Sequence, residues 1–102
     1  MNNRIRKKWL KRNGKYINPR DTWNLDITIS EFIIPRLKLF KNVTCGRPQE
    51  FNSMEEWYST IDKMIAAFQL LSDEKTWNSK DEESVIQEGL DLFCKYLRHL
   101  WW

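Results

Sequence analysis

Between Ser53 and Ser72, the apolar residues Met54, Trp57, Tyr58, Ile61, Met64, Ile65, Phe68 and Leu71 recur every three or four positions. That is the period of a helix with one side turned to a core. Ser53 with Glu56 three residues on supplies a capping-box signature at its start. A second such segment runs over 79–101. Ser79 and Glu82 form its box, acids fill its first turn, and Lys95, Arg98 and His99 stand near its end, where the helix dipole favours cations. Its apolar residues cover a wide arc and leave Gln87, Glu88, Asp91, Lys95 and Arg98 as one polar stripe. A third helix is predicted from Asn24–Asp26 to about Asn42, capped by Asp21, Thr22 or Asn24 and kinked at Pro35. Ile29, Phe32, Ile33, Leu37 and Phe40 are expected to face its core, with Arg36 on nearly the same side and in need of an acidic partner such as Asp62. Residues 42–52 and 73–78 read as connections. The pattern predicts an all-α, three-helix bundle-like single domain over 21–102, preceded over 1–20 by a basic N-terminal arm that is partly helical, around Ile5 to Leu10, or extended.

Size and composition support one domain. A chain of 102 residues leaves no material for a second core, and 41% hydrophobic residues with six Trp and five Phe are enough to build the first. The uncharged stretch from Met64 to Ser72 falls far short of the ~20 apolar residues of a membrane span. No apolar run follows the N-terminal charges as in a signal peptide, so an intracellular protein is expected. Cys45 and Cys94 are expected to be reduced, Cys94 as a small core residue. A single histidine, His99, speaks against a zinc site. Gly89, inside a predicted helix, costs about 1 kcal/mol relative to Ala. It therefore points to close approach by a neighbouring backbone, for which Ala66 and Ala67 leave room.

Charge divides the chain. Residues 1–20 carry Arg4, Arg6, Lys7, Lys8, Lys11, Arg12, Lys15 and Arg20 without an acid, so 21–102, with 9 basic and 14 acidic residues, is net negative. The arm's first expected role is to fold back on that acidic body or to solubilise the chain. The same block can bind a polyanion by counterion release.

Catalytic constellations are absent from the pattern. Cys94 and His99 diverge by about 140° on a helix of ~3.6 residues per turn. Glu88 and Asp91 continue into Lys95 and Arg98 as a salt-bridge ladder, and the three glycines stand singly, without a phosphate loop. No enzyme activity, cofactor or metal is expected. Six tryptophans, Trp9, Trp23, Trp57, Trp77, Trp101 and Trp102, favour binding instead. Trp57 and Trp101 are nonetheless placed on core faces and Trp23 at a helix-entry staple.

The run Asp21-Thr22-Trp23-Asn24-Leu25-Asp26 is followed by Ile34-Pro35-Arg36-Leu37, Phe40-Lys41, Trp57, Asp62-Lys63-Met64-Ile65 and Ala67-Phe68. Gln87-Glu88-Gly89-Leu90, Phe93, Lys95-Tyr96 and Leu100-Trp101 complete the set. Together, over residues 20–101, they resemble a family of small accessory proteins of tailed phages and prophages. The resemblance implies a phage accessory gene product with no settled activity, and the expected setting is counter-defence in the cytoplasm of an infected or lysogenic bacterial host. In that setting the first expectation is non-catalytic sequestration of a nucleotide-derived immune signal, in a pocket of one chain or of a homo-oligomer. Trp23 or Trp101 would stack the base, and Arg36, Lys63, Lys95 or Arg98 would meet phosphates. Asp21, Asp26 and Asp62 would accept hydrogen bonds from ribose hydroxyls or orient the cations. One alternative is an inhibitor that masks a host defence protein through an aromatic patch and the arm. A second is nucleic-acid binding through Arg4, Arg6, Lys7, Lys8, Lys11 and Arg12.

Overall fold

A computed structural model of the chain describes residues 2–73 and 77–102. Every regular element among them is helical: α1 (Asn3–Arg12), α2 (Leu25–Val43), α3 (Met54–Ser72) and α4 (Lys80–Tyr96), with 3₁₀ turns at Pro19–Thr22 and Leu97–His99. Local chemistry accounts for most of these limits. Ser79 Oγ accepts from the Glu82 amide while the Glu82 carboxylate accepts from the Ser79 amide, a complete capping box for α4. In α3 the reciprocal bond is displaced by one residue: Ser53 Oγ accepts from Glu56, but the Glu56 carboxylate accepts from Asn52. α1 is closed at both ends by its own caps. Asn2 accepts from the Ile5 amide, and Gly14, at φ 68°, forms a Schellman turn in which the Lys15 amide reaches the Leu10 carbonyl and the Gly14 amide that of Lys11. Asn24 takes the N-cap position of α2, but its side chain makes no capping bond, and Thr22 Oγ1 donates instead to the Pro19 carbonyl. α2 runs through Pro35 as one unbroken helix. Because Pro35 is exposed, the carbonyl left without a helix donor lies where water can serve it.

α3 is the core. Trp57, Ile61, Met64, Ile65, Ala67 and Phe68 are all buried on it, whereas α2 contributes Ser30 and Leu37 and α4 contributes Ile86, Gly89 and Tyr96. α2 packs on one side of α3 and α4 on the other. Between α2 and α4 no Cα pair comes within 8 Å, so the three helices form a bundle that is open on one side. The end of that gap is filled by aromatic rings. Phe51, from the 44–53 connection, lies 5.4 Å from the Trp57 ring and 5.2 Å from Tyr96, and Phe40 meets Trp57 edge-on at 6.5 Å. The connection expected over 73–78 lies partly outside the described residues.

The α3–α4 contact depends on Gly89. A Cβ at that position would collide with the Ala67 side chain and lie 2.5 Å from the Lys63 carbonyl oxygen. Beside it, Lys63 and Glu88 form an ion pair at 2.8 Å, and on the other flank Lys41 of α2 meets Asp62 at 2.9 Å. Both pairs are solvent-exposed and contribute about 0–1 kcal/mol each. They orient the helices more than they hold them.

Several sequence-based placements are corrected. Arg36 does not pair with Asp62, which is taken by Lys41. Arg36 is exposed at the edge of the core face of α2, where water solvates its charge, and Ile29 and Phe32 are turned outward at 48% and 57% exposure. The Glu88–Asp91–Lys95–Arg98 ladder does not form, because Glu88 turns to Lys63, Asp91 accepts from Gln87 and Lys95 faces Glu50. Trp23 and Trp101 are exposed and Cys94 is not in the core. The last helix stops at Tyr96, whose backbone leaves the helical region (φ −107°, ψ 9°), and tightens into a 3₁₀ turn before Leu100.

Gly89→Ala tests the central contact. Helix propensity alone makes the substitution stabilising by about 1 kcal/mol. Because the added methyl meets backbone as well as a side chain, the expected outcome in urea unfolding is a net loss of about 1–3 kcal/mol. A stabilised variant would contradict this packing.

Candidate binding site at the C-terminal tryptophans

After the 3₁₀ turn at Leu97–His99 the chain crosses toward α2. Leu100 packs against the core, while Trp101 and Trp102 stay three-quarters exposed. The two tryptophans separate two hollows. The first, about 380 Å³, is walled by Ile33, Arg36, Leu37, Phe40 and Leu100. The second, about 410 Å³, is walled by Cys45, Gly46, Arg47, Pro48 and His99. Both fall within the size range of small-molecule sites, roughly 300–1,000 Å³. Neither lining contains an acidic side chain.

The nitrogen-bearing side chains around the tryptophans are held in place. Arg36 stacks on the Phe32 ring, 3.7 Å from its centroid, and donates from Nη1 to the Phe32 carbonyl at 2.8 Å. Its remaining donors are open to solvent or a ligand. Arg47 donates from Nε to the Phe51 carbonyl at 2.9 Å and from Nη2 to that of Asn52 at 3.4 Å, tying the 44–53 connection together. His99 sits edge-on to Tyr96 at 5.9 Å. An aromatic pair flanked by two oriented guanidiniums and an imidazole can stack a planar ring and meet an anion.

Of the nine residues expected at a ligand site, Arg36 and Trp101 line a common hollow among the described residues. Asp62, Lys63 and Lys95 are engaged in ion pairs with Lys41, Glu88 and Glu50 respectively, and Lys95 also lies over the Tyr96 ring. Arg98 is exposed and makes no ion pair among the described residues. Asp26 lines a separate, polar hollow of about 440 Å³ with Asp73 and Asn78. It stands ten residues before Arg36 on α2, about 15 Å along the axis. Asp21 and Trp23 lie exposed in and just after the first 3₁₀ turn. Arg47, His99 and Trp102 enter the candidate site without having been assigned to it from sequence. Trp102 had a signal in the tryptophan count, but Arg47 lies in a connection whose path no periodicity reveals.

The basic residues Arg4, Arg6, Lys7, Lys8, Lys11 and Arg12 all lie exposed on α1, which packs against none of the other helices. Lys7 and Lys11 approach the Tyr16 ring at 5.3 and 5.1 Å, and Lys15 the Trp9 ring at 5.5 Å. The expected fold-back onto the acidic body is not seen: these cations contact their own segment. Among the described residues no cluster of three or more His, Cys, Asp and Glu side chains suits a metal ion, and no helix is long and apolar enough to cross a membrane. Comparison of the chain with protein-family models, curated proteins and solved structures gives no match.

Tyr96 links this site to the core. Burial, reinforced by the hydrogen-bonded Glu50 carboxylate, pushes its hydroxyl above the ordinary tyrosine value of 10.0. The folded state therefore keeps this proton at a pH where the unfolded chain has lost it, and stability falls as pH rises from about 10 through the folded-state value. Unfolding free energies measured from neutral to alkaline pH are expected to show the wild type losing stability relative to Tyr96→Phe above about pH 10. Parallel curves would contradict the assigned environment.

Proposed function

We propose that the chain is a non-catalytic binding protein that holds a nucleotide-derived anion at Trp101 and Trp102. One observation carries the reading: Arg36 and Trp101, distant in sequence, wall the same acid-free hollow. A base would stack on the indoles, and Arg36 on one side or Arg47 and His99 on the other would take the phosphates. The resemblance to phage accessory proteins supplies the setting, in which withholding a host immune signal needs only affinity. Such a protein would act in the cytoplasm of an infected or lysogenic bacterium, with no cofactor.

A second reading rests on a different observation. α1 presents six cations and no acid on a helix that meets no other helix of the chain. As an arm distinct from the domain over 21–102, it suits the phosphates of a nucleic acid.

Thermal unfolding against a panel of linear and cyclic nucleotides separates the two. A ligand at 100 times its Kd adds about 2.7 kcal/mol, which raises the Tm of a domain this size by on the order of 10 °C. The shift is expected to vanish in Arg36→Ala or Trp101→Ala and to survive removal of residues 1–20. Absence of a shift with any nucleotide, together with salt-sensitive polynucleotide binding that disappears with residues 1–20, would transfer the function to α1.

A further inference from the structure

The outward side of α2 carries apolar residues that the described residues leave about half exposed. Leu25, Ile29, Phe32 and Leu39 are 51, 48, 57 and 62% exposed. With Arg36 they stand at positions 25, 29, 32, 36 and 39, a 4-3-4-3 spacing that keeps one straight seam along a helix. The seam is about 21 Å long at 1.5 Å per residue. It lies about a third of a turn around α2 from the face that packs on α3, so the apolar surface of α2 extends past the part that this chain covers.

The patch is large for a monomer. Trp101 and Trp102 border it, because they share a hollow with Arg36 and Ile33. At roughly 200 Å² per ring, Phe32, Trp101 and Trp102 leave on the order of 400 Å² outward. Leu25, Ile29 and Leu39 extend this toward the ~800 Å² that each partner gives to a standard interface. Monomers rarely expose a contiguous apolar patch of more than a few hundred Å².

We propose that this seam pairs with the same seam of a second copy, the two α2 helices running antiparallel across a two-fold axis at Phe32. The order of residues is self-complementary in that direction: Leu25 of one copy meets Leu39 of the other, Phe32 meets Phe32, and Ile29 lies level with Arg36. Charge selects the same direction. A parallel pair would set the two Arg36 guanidiniums side by side, whereas the antiparallel pair separates them by about 12 Å along the axis. Each Arg36 is already folded onto its own Phe32 ring and carbonyl, which lays its planar group flat against the seam. The positions flanking the seam are Thr28, Pro35 and Asn42 on one side and Asp26, Ile33 and Phe40 on the other. They place a single charge, Asp26, beside the contact, so no like-charge row opposes it. This pairing does not rest on the ligand reading, but it draws on the same Arg36 and terminal tryptophans, so a second copy seated there and a ligand in the hollow they wall exclude one another.

Sedimentation equilibrium of the full chain tests the proposal. The expected mass is twice the 12.5 kDa of one chain, falling to that of one chain in the double variant Phe32→Glu with Leu39→Glu. Both substituted residues are exposed, and unchanged helical circular dichroism identifies the variant as folded. Direction is read separately by disulfide trapping in a background with Cys45→Ser and Cys94→Ser. A mixture of Leu25→Cys and Leu39→Cys chains is expected to form the mixed cross-link in preference to either symmetric one. A wild type that sediments as a single chain, a folded double variant that remains dimeric, or cross-linking of Leu25→Cys chains to each other would each overturn the proposal.

Discussion

The backbone of α4 comes to rest on the carbonyl of Lys63 because position 89 has no side chain, and the rest of the structure follows from that approach. With α4 so close, α3 is, among the described residues, the helix with neighbours on two sides, and its residues from Trp57 to Phe68 form the continuous buried row. α2 then has one partner, α3, and its other face is left open. The same geometry separates α2 from α4 and creates the gap that Phe51, Tyr96 and Leu100 fill at one end. The candidate site is a product of that filling. The chain turns at Leu97–His99 to bring Leu100 inward, and the turn delivers Trp101 and Trp102 between Arg36 and Arg47.

The molecule is elongated, with α1 standing clear of the other helices. Its principal extents are 55 × 36 × 19 Å and its radius of gyration is 17.1 Å, against about 13 Å for a compact domain of 100 residues. A layer one helix thick cannot cover both faces of its members, so much of the apolar surface faces outward. The open face of α2 and the two terminal indoles are where this chain has bonding capacity that its own core does not use. α1 adds a different capacity, a concentration of positive charge closed by its own caps.

Much of the helical architecture was legible in the sequence because its determinants are local. Capping boxes at Ser53 and Ser79 and a strong apolar period fixed α3 and α4, and Gly89 beside Ala67 announced a close helix contact. What misled was α2. Its apolar residues point in two directions, so periodicity could not say whether Leu37 or Phe32 faced the core, and Ile29 and Phe32 were assigned inward. Arg36, placed by the same reasoning near the core, was given an acidic partner it does not need in water. The candidate site was legible only in its residue types. Arg36 and Trp101 belonged to the expected set, but nothing local signals that the end of the chain folds back to α2, nor that Arg47 is pinned by the carbonyls of Phe51 and Asn52. Those contacts come from tertiary packing, which patterns of three and four residues do not encode.

The claim on which this account rests is that α3 is the stability centre and its two neighbours depend on it. Native-state hydrogen exchange of the full chain reads this helix by helix. The account predicts that the amides of Ile61, Met64 and Phe68 exchange only through global unfolding, that α2 and α4 are protected to intermediate degrees, and that α1 exchanges fastest. Protection greatest in α2 or α4, with α3 exchanging ahead of them, would contradict it.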